Sequence, residues 1–128
     1  MEDMPETARF TLHHMIFEYD AEKNITNLQK HGISFKNAAL VFLDYNRVEF
    51  YDELHSTDEE RYQTIGAAAL ETNRSAEMIR SSSDAILFVV YTERAVHTEG
   101  GKAVDVTRII SARKATSFER GIYYGKYN

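Results

Sequence analysis

Between Tyr91 and Glu119 the chain reads YTERAVHTEGGKAVDVTRIISARKATSFE, which gathers Arg94, Arg108 and Arg113, the hydroxyls of Thr92 and Ser111, and a Gly100-Gly101 pair. A guanidinium is a planar fork that matches phosphate oxygens two at a time and keeps its proton near neutral pH. When a phosphodiester is broken, such cations stabilise the charge developing on the phosphorus oxygens. One further group must take the proton of the attacking hydroxyl, and another must assist the departing oxygen. The residue types in this stretch suit the first of those tasks.

Which side chains act together depends on strand register. If Gly100-Gly101 forms a two-residue hairpin turn, Glu99 faces Lys102, Arg94 faces Thr107, Glu93 faces Arg108, Thr92 faces Ile109 and Val90 faces Ser111. Alternation then places Thr92, Arg94, Ser111 and Arg113 on one face and leaves Glu93 and Arg108 on the other as a cross-strand ion pair. A slip of one residue would exchange the faces. Residue types alone fit a phosphate-handling face and an edge of solvated arginines equally well.

Candidates for proton transfer lie elsewhere. Lys30-His31-Gly32 closes a helix that Asp20 starts; a lysine and a histidine in a last turn are what the helix dipole favours, whether or not they touch a substrate. His55 precedes Glu59 at i, i+4, and His13 and His14 are adjacent, but neither group has the ligand set that a metal site needs. A metallohydrolase built on His31, His55 and Glu59 is the disfavoured alternative, so no cofactor and no metal are expected. Glu119 completes a Thr116-x-x-Glu119 capping box that opens a final helix.

The elements that must position these residues read as α+β. Met15–Tyr19 is a strand, and Ile25 and Leu28 share one face of the helix after Asp20. Ser34 caps a second helix whose Phe35, Ala38, Ala39 and Phe42 recur with helical spacing as a core face. Strands are predicted at 47–51, at 61–66 and at 85–93, the last being the most apolar run and the central strand. Residues 1–14 read as a leader, either poorly ordered or adding one element. The remainder, 15–128, reads as a single domain with an insertion at 67–84.

Composition narrows the function classes. The 128 residues carry no cysteine, which excludes disulfides and thiolate metal sites and leaves stability to packing, for which 43% hydrophobic residues suffice. Acids at Glu2, Asp3 and Glu6 and the lack of a membrane-length apolar run predict a cytoplasmic protein with no membrane partner. The net charge of −5 has the wrong sign for a general nucleic-acid binder. Its distribution is uneven. Residues 1–60 hold 5 basic and 13 acidic side chains and residues 61–128 hold 10 and 7, which fits a local basic site on an acidic surface.

Phe17-Glu18-Tyr19-Asp20, Lys30-His31-Gly32-Ile33-Ser34-Phe35, His55-Ser56 with Glu60-Arg61-Tyr62, Thr92-Glu93-Arg94 and the run Arg108–Thr116 with Glu119 resemble, in this order, the BrnT family of bacterial toxins. The resemblance covers roughly residues 15–120. It implies a RelE/ParE-like α+β fold with two N-terminal helices packed on a twisted antiparallel sheet, followed by a short C-terminal helix. It also implies an endoribonuclease toxin of a type II toxin–antitoxin pair, working by metal-independent acid/base chemistry on RNA. The implied partner is a cognate, BrnA-like antitoxin of ribbon-helix-helix type, through which alone the toxin would reach DNA. Carried over residue by residue, the implied catalytic groups are Lys30, His31, Arg94 and Arg113, and the implied substrate-binding groups are His55, Arg61, Thr92, Ser111 and Glu119. The alternative class is a non-catalytic, toxin-like protein-binding module that uses the same face.

Overall fold

The computed structural model describes residues 6–69 and 85–126. Most of the predicted insertion lies outside them. Six strands form one sheet in the order β1-β2-β6-β5-β4-β3: β1 (Thr7–Leu12), β2 (Met15–Asp20), β3 (Val48–Tyr51), β4 (Tyr62–Ala68), β5 (Ala85–His97) and β6 (Ala103–Lys114). Among the described residues three α-helices accompany it: α1 (Ala21–His31), the single turn α2 (Phe35–Ala38), which runs on as a 310 turn over Ala39–Leu43, and α3 (Ser117–Tyr123).

Two features correct the expected fold. Two strands, β1 and β2, come before any helix, so the helices do not open the domain. The sheet is also mixed: β2 and β6 are parallel, with Phe17 opposite Thr107 and Glu18 opposite Arg108, while the other neighbours are antiparallel. The reason is connectivity. α1 starts at the residue after β2, so no tight turn can fold the next stretch of chain back onto this strand. It is met instead by a strand about ninety positions later that runs the same way.

Local sequence explains the helix limits. The Asp20 carboxylate accepts from the N–H groups of Glu22 and Lys23 at 2.9 and 3.1 Å, and Gly32 ends α1 at φ 73°. The Ser34 hydroxyl accepts from Asn37 N–H. In α3 the capping box is complete in both directions, at 2.9 and 3.2 Å.

The core lies on the sheet face covered by α2 and its 310 extension. Phe35, Ala38, Ala39 and Phe42 are buried there as their spacing predicts. An aromatic chain runs across this face, Phe10–Phe17–Phe42–Tyr91–Tyr62, with ring centroids 5.0–5.7 Å apart. Phe10 comes from β1, so the first strand buries a ring beneath the sheet and, by alternation, turns Arg9 to the opposite face. α3 is tied to the same side: Tyr123 Oη donates to Asp44 at 2.6 Å. Burial pushes the Asp44 carboxyl up, but the hydrogen bonds from Tyr123 and the Ala67 and Asn46 amides hold it below the usual carboxylate range.

α1 turns its apolar pair outward. Ile25 and Leu28, 55% and 48% exposed, point away from the protein, and its buried residue is Asn27. The helix does not lie on the apolar face. It flanks the sheet where β6 extends past the end of β2, and Asn27 takes the place of a strand there. Its amide donates to Ala112 C=O at 2.8 Å and to Ile33 C=O at 2.9 Å, and its oxygen accepts from Ala112 N–H at 3.1 Å. One side chain thereby satisfies both buried backbone groups of Ala112.

Candidate active site on the outer sheet face

The β5–β6 hairpin carries the arginines, and its register is not the simple one. The loop has three residues, Glu99-Gly100-Gly101, closed by Thr98 N–H donating to Lys102 C=O, and Gly101 sits at φ 80°, a conformation open to glycine without strain. The added loop residue shifts the outer pairs by one, so Thr92 faces Arg108 and Arg94 faces Val106. A β-bulge at Ile110 then absorbs the extra residue, and Val90 faces Ser111 as expected.

Loop and bulge together put Arg108 on the same face as Thr92, Arg94, Ser111 and Arg113. The expected Glu93–Arg108 pair is therefore absent. Glu93 instead accepts a long hydrogen bond from Thr107 (3.4 Å), and its pKa is raised by burial.

Arg108 turns to Glu18. This carboxylate is 2% exposed and gathers three guanidiniums: Oε2 accepts from Arg108 Nη1 at 2.8 Å and from Arg94 Nη1 at 2.9 Å, and Oε1 accepts from Arg9 Nε at 3.0 Å. Burial alone would raise the Glu18 pKa. Hydrogen bonds from Arg108 and Arg9 and the nearby Arg94 charge outweigh it and hold the group ionised. Thr92 lies between, with its hydroxyl buried and without a hydrogen-bond partner among the described residues.

Lys30 and His31 do meet the hairpin. A cleft of about 420 Å³ opens between α1 and β6, lined by Glu22, Thr26, Lys30, His31, Ile110 and Ser111. The bulge is what brings Ile110 and Ser111 to its wall, and Asn27 anchors the helix beneath it.

Arg113 stands two residues beyond Ser111. Its guanidinium stacks over Phe88 (4.2 Å to the ring centroid) and grips Glu119 with two bonds of 2.8 and 2.9 Å. That grip raises the arginine's pKa and lowers the Glu119 pKa.

Arg94 and Arg113 are not brought together. Arg113 is opposite Phe88 and Arg94 is six positions further along β5, a separation of about 20 Å at strand rise. His55 and Arg61 form a further group beyond β4. The buried Asp52 holds His55 Nδ1 at 3.0 Å, and Arg61 lines a small cleft with His55 and Glu59. Among the described residues no three His, Asp or Glu side chains converge as a metal site would need.

Residues 19–119 match the sequence model of the ribonuclease toxin BrnT of type II toxin–antitoxin systems. The chain belongs to the BrnT family. No curated protein matches it. The family match includes α1, the bulged hairpin and the Arg113–Glu119 pair. It begins one residue after Glu18, so β1 and Arg9 lie outside it. Membership in this toxin family implies a cognate antitoxin partner. No described helix is long and apolar enough to cross a membrane.

Sequence reasoning missed four residues of this face. Asn27 carried no signal, because its partner Ala112 is distant in sequence, and Arg9, nine residues from Glu18, lies in the stretch that reads as a leader. Glu18 did carry one: an acid between Phe17 and Tyr19 in a strand must point opposite two buried rings and needs cations if it is covered. Arg108 was misplaced by the turn.

Proposed function

We propose that the protein is an endoribonuclease toxin whose catalytic centre is the cleft between α1 and β6. It acts in the cytoplasm and is held inactive by a cognate ribbon-helix-helix antitoxin that covers this region. The observation that carries the reading is the convergence of Lys30 and His31 with Ser111, groups from opposite ends of the chain, in one open cleft on the face that bears the arginines. His31 takes the proton of the ribose 2′-OH as its oxygen attacks the adjacent phosphorus. The Lys30 ammonium donates to the departing 5′ oxygen, and the Ser111 hydroxyl orients the phosphodiester. Arg113 on one side and the Arg94–Arg108 group on the other hold the flanking backbone, since their separation prevents both from gripping one phosphate. The converging groups are proton carriers and cations, which supports acid/base chemistry performed by side chains alone. The exposed Ile25 and Leu28 on the outside of α1 support an antitoxin contact beside the cleft.

The test is cleavage of a fluorogenic RNA by purified protein in chelator. We expect cleavage that stops when the substrate's 2′-OH is replaced by hydrogen, and a rate about 10²–10⁴-fold lower in His31→Ala. Intact RNA after long incubation with folded protein would sink the reading. Loss of antitoxin binding without loss of cleavage in His31→Ala would favour the protein-binding alternative for that residue.

A further inference from the structure

The Glu18 cluster gathers three guanidiniums on one carboxylate, and Arg9 and Glu18 lie outside the family match. Arg9, Glu18, Arg108 and Thr92 occupy one row across four adjacent strands, since Arg9 faces Glu18, Glu18 faces Arg108, and Arg108 faces Thr92. Three cations meet one carboxylate, which leaves a local charge of +2 on a chain whose net charge is −5. Arg94 and Arg108 each spend a single Nη1 on Glu18, and Arg9 spends Nε and Nη2 on the other oxygen. Their remaining N–H groups have no acceptor among the described residues. Arg9 and Arg94 are about half exposed, and the cluster borders an open cleft of about 360 Å³ that Thr7 also lines. Guanidiniums fixed from behind by a buried carboxylate, with free donors facing a cleft, are organised in advance for an anion with several oxygens.

Resting on the ribonuclease reading above, we infer that Arg9, Arg94 and Arg108 form a subsite for a backbone phosphate of the RNA, next to the cleaved bond, with Arg9 supplied by β1. Arg108 and Ser111 are three residues apart on β6, at most about 10 Å, and both belong to the outer face. An RNA strand seated at Ser111 therefore carries a neighbouring phosphate to the cluster. The row runs across the strands and ends at the edge strand β1, so Arg9 sets where the bound strand leaves the protein.

Binding of a 2′-O-methyl oligoribonucleotide, which cannot be cleaved, is measured for wild type, Arg9→Ala and Arg9→Lys over about 50–200 mM salt. Each phosphate contact on a single strand contributes about 0.7 to the slope of log affinity against log salt. Arg9→Ala should therefore lose about 2.5-fold less affinity than wild type across this fourfold range, and Arg9→Lys, which keeps the charge, should recover most of the slope. In parallel, inorganic phosphate titrated into the protein should shift the arginine Nε–H resonances that disappear in Arg9→Ala. Unchanged slopes in a folded Arg9→Ala, or no RNA binding by wild type, overturn the subsite. An acidic peptide that shifts these resonances where RNA does not reassigns them to a protein partner and overturns it too. RNA binding with the predicted slopes but no cleavage of an unmodified RNA leaves the subsite standing and removes the catalytic reading instead.

Discussion

Replacing Glu18 by glutamine removes the one negative charge that holds three guanidiniums together while changing the side chain's volume little. Deleting one partner of a buried ion pair costs about 3–5 kcal/mol. Here Arg9 and Arg94 are 52% and 47% exposed, so water recovers part of the loss, and we expect about 2–3 kcal/mol at neutral pH. For a domain of this size that is a fall in Tm of roughly 6–12 °C.

The pH dependence identifies the cause. The Glu18 pKa in the folded protein lies below its ordinary value, so the contribution is complete above the unfolded pKa of about 4.3 and drains away as pH falls through the folded value. Melting curves of wild type and Glu18→Gln should be well separated at pH 7 and converge at low pH, below the usual carboxylate range. Equal melting temperatures at pH 7, or a gap that stays constant down to low pH, would refute the claim that the carboxylate organises the arginines by its charge.

The same geometry gives two more expected outcomes. Asn27→Leu keeps the volume but strands the buried C=O and N–H of Ala112, and should cost about 2–4 kcal/mol in urea unfolding; a loss within about 0.5 kcal/mol would mean that the edge of β6 finds other partners. Glu119→Gln preserves the capping-box pattern and removes only the charge that grips Arg113, so it should cost about 1–2 kcal/mol at pH 7. Because Arg113 depresses the Glu119 pKa, that cost should vanish as pH drops through the folded value, which a pH series of thermal melts would reveal.

Much of the fold was readable because it is encoded locally. Asp20, Gly32, Ser34 and the Thr116/Glu119 box mark helix ends through contacts a few residues long, and the Phe35–Phe42 spacing announces its buried face. What could not be read depends on the whole sheet. The parallel pairing of β2 with β6 joins segments about ninety positions apart, and nothing in either strand names its partner. Ile25 and Leu28 share a side of α1, but that spacing does not say whether the side is buried: the helix packs against a strand edge, where hydrogen-bonding capacity turns Asn27 inward. The hairpin shows how little separates two readings: Gly-Gly serves a two-residue turn or a three-residue loop ending in left-handed Gly101, and that one residue moved Arg108 from Glu93 to Glu18. Within the candidate site, Lys30, His31 and Ser111 were named and do come together. Arg94 and Arg113 share the expected face, but facing the same way did not make them neighbours.

The parallel union of β2 and β6 also bears on how the protein is made. Synthesis releases β1, β2 and α1 long before residue 108 emerges, so Glu18 at first has only Arg9 of its three cations, and Lys30 and His31 border no cleft. A pairing of such sequence separation closes late, after the β5–β6 hairpin has formed from its own neighbouring segments. Lys30 and His31 can therefore be present on the ribosome while the cleft they line in the folded protein, whose other wall is β6, does not yet exist. The translation of the chain from α1 to β6 must pass before that cleft can close.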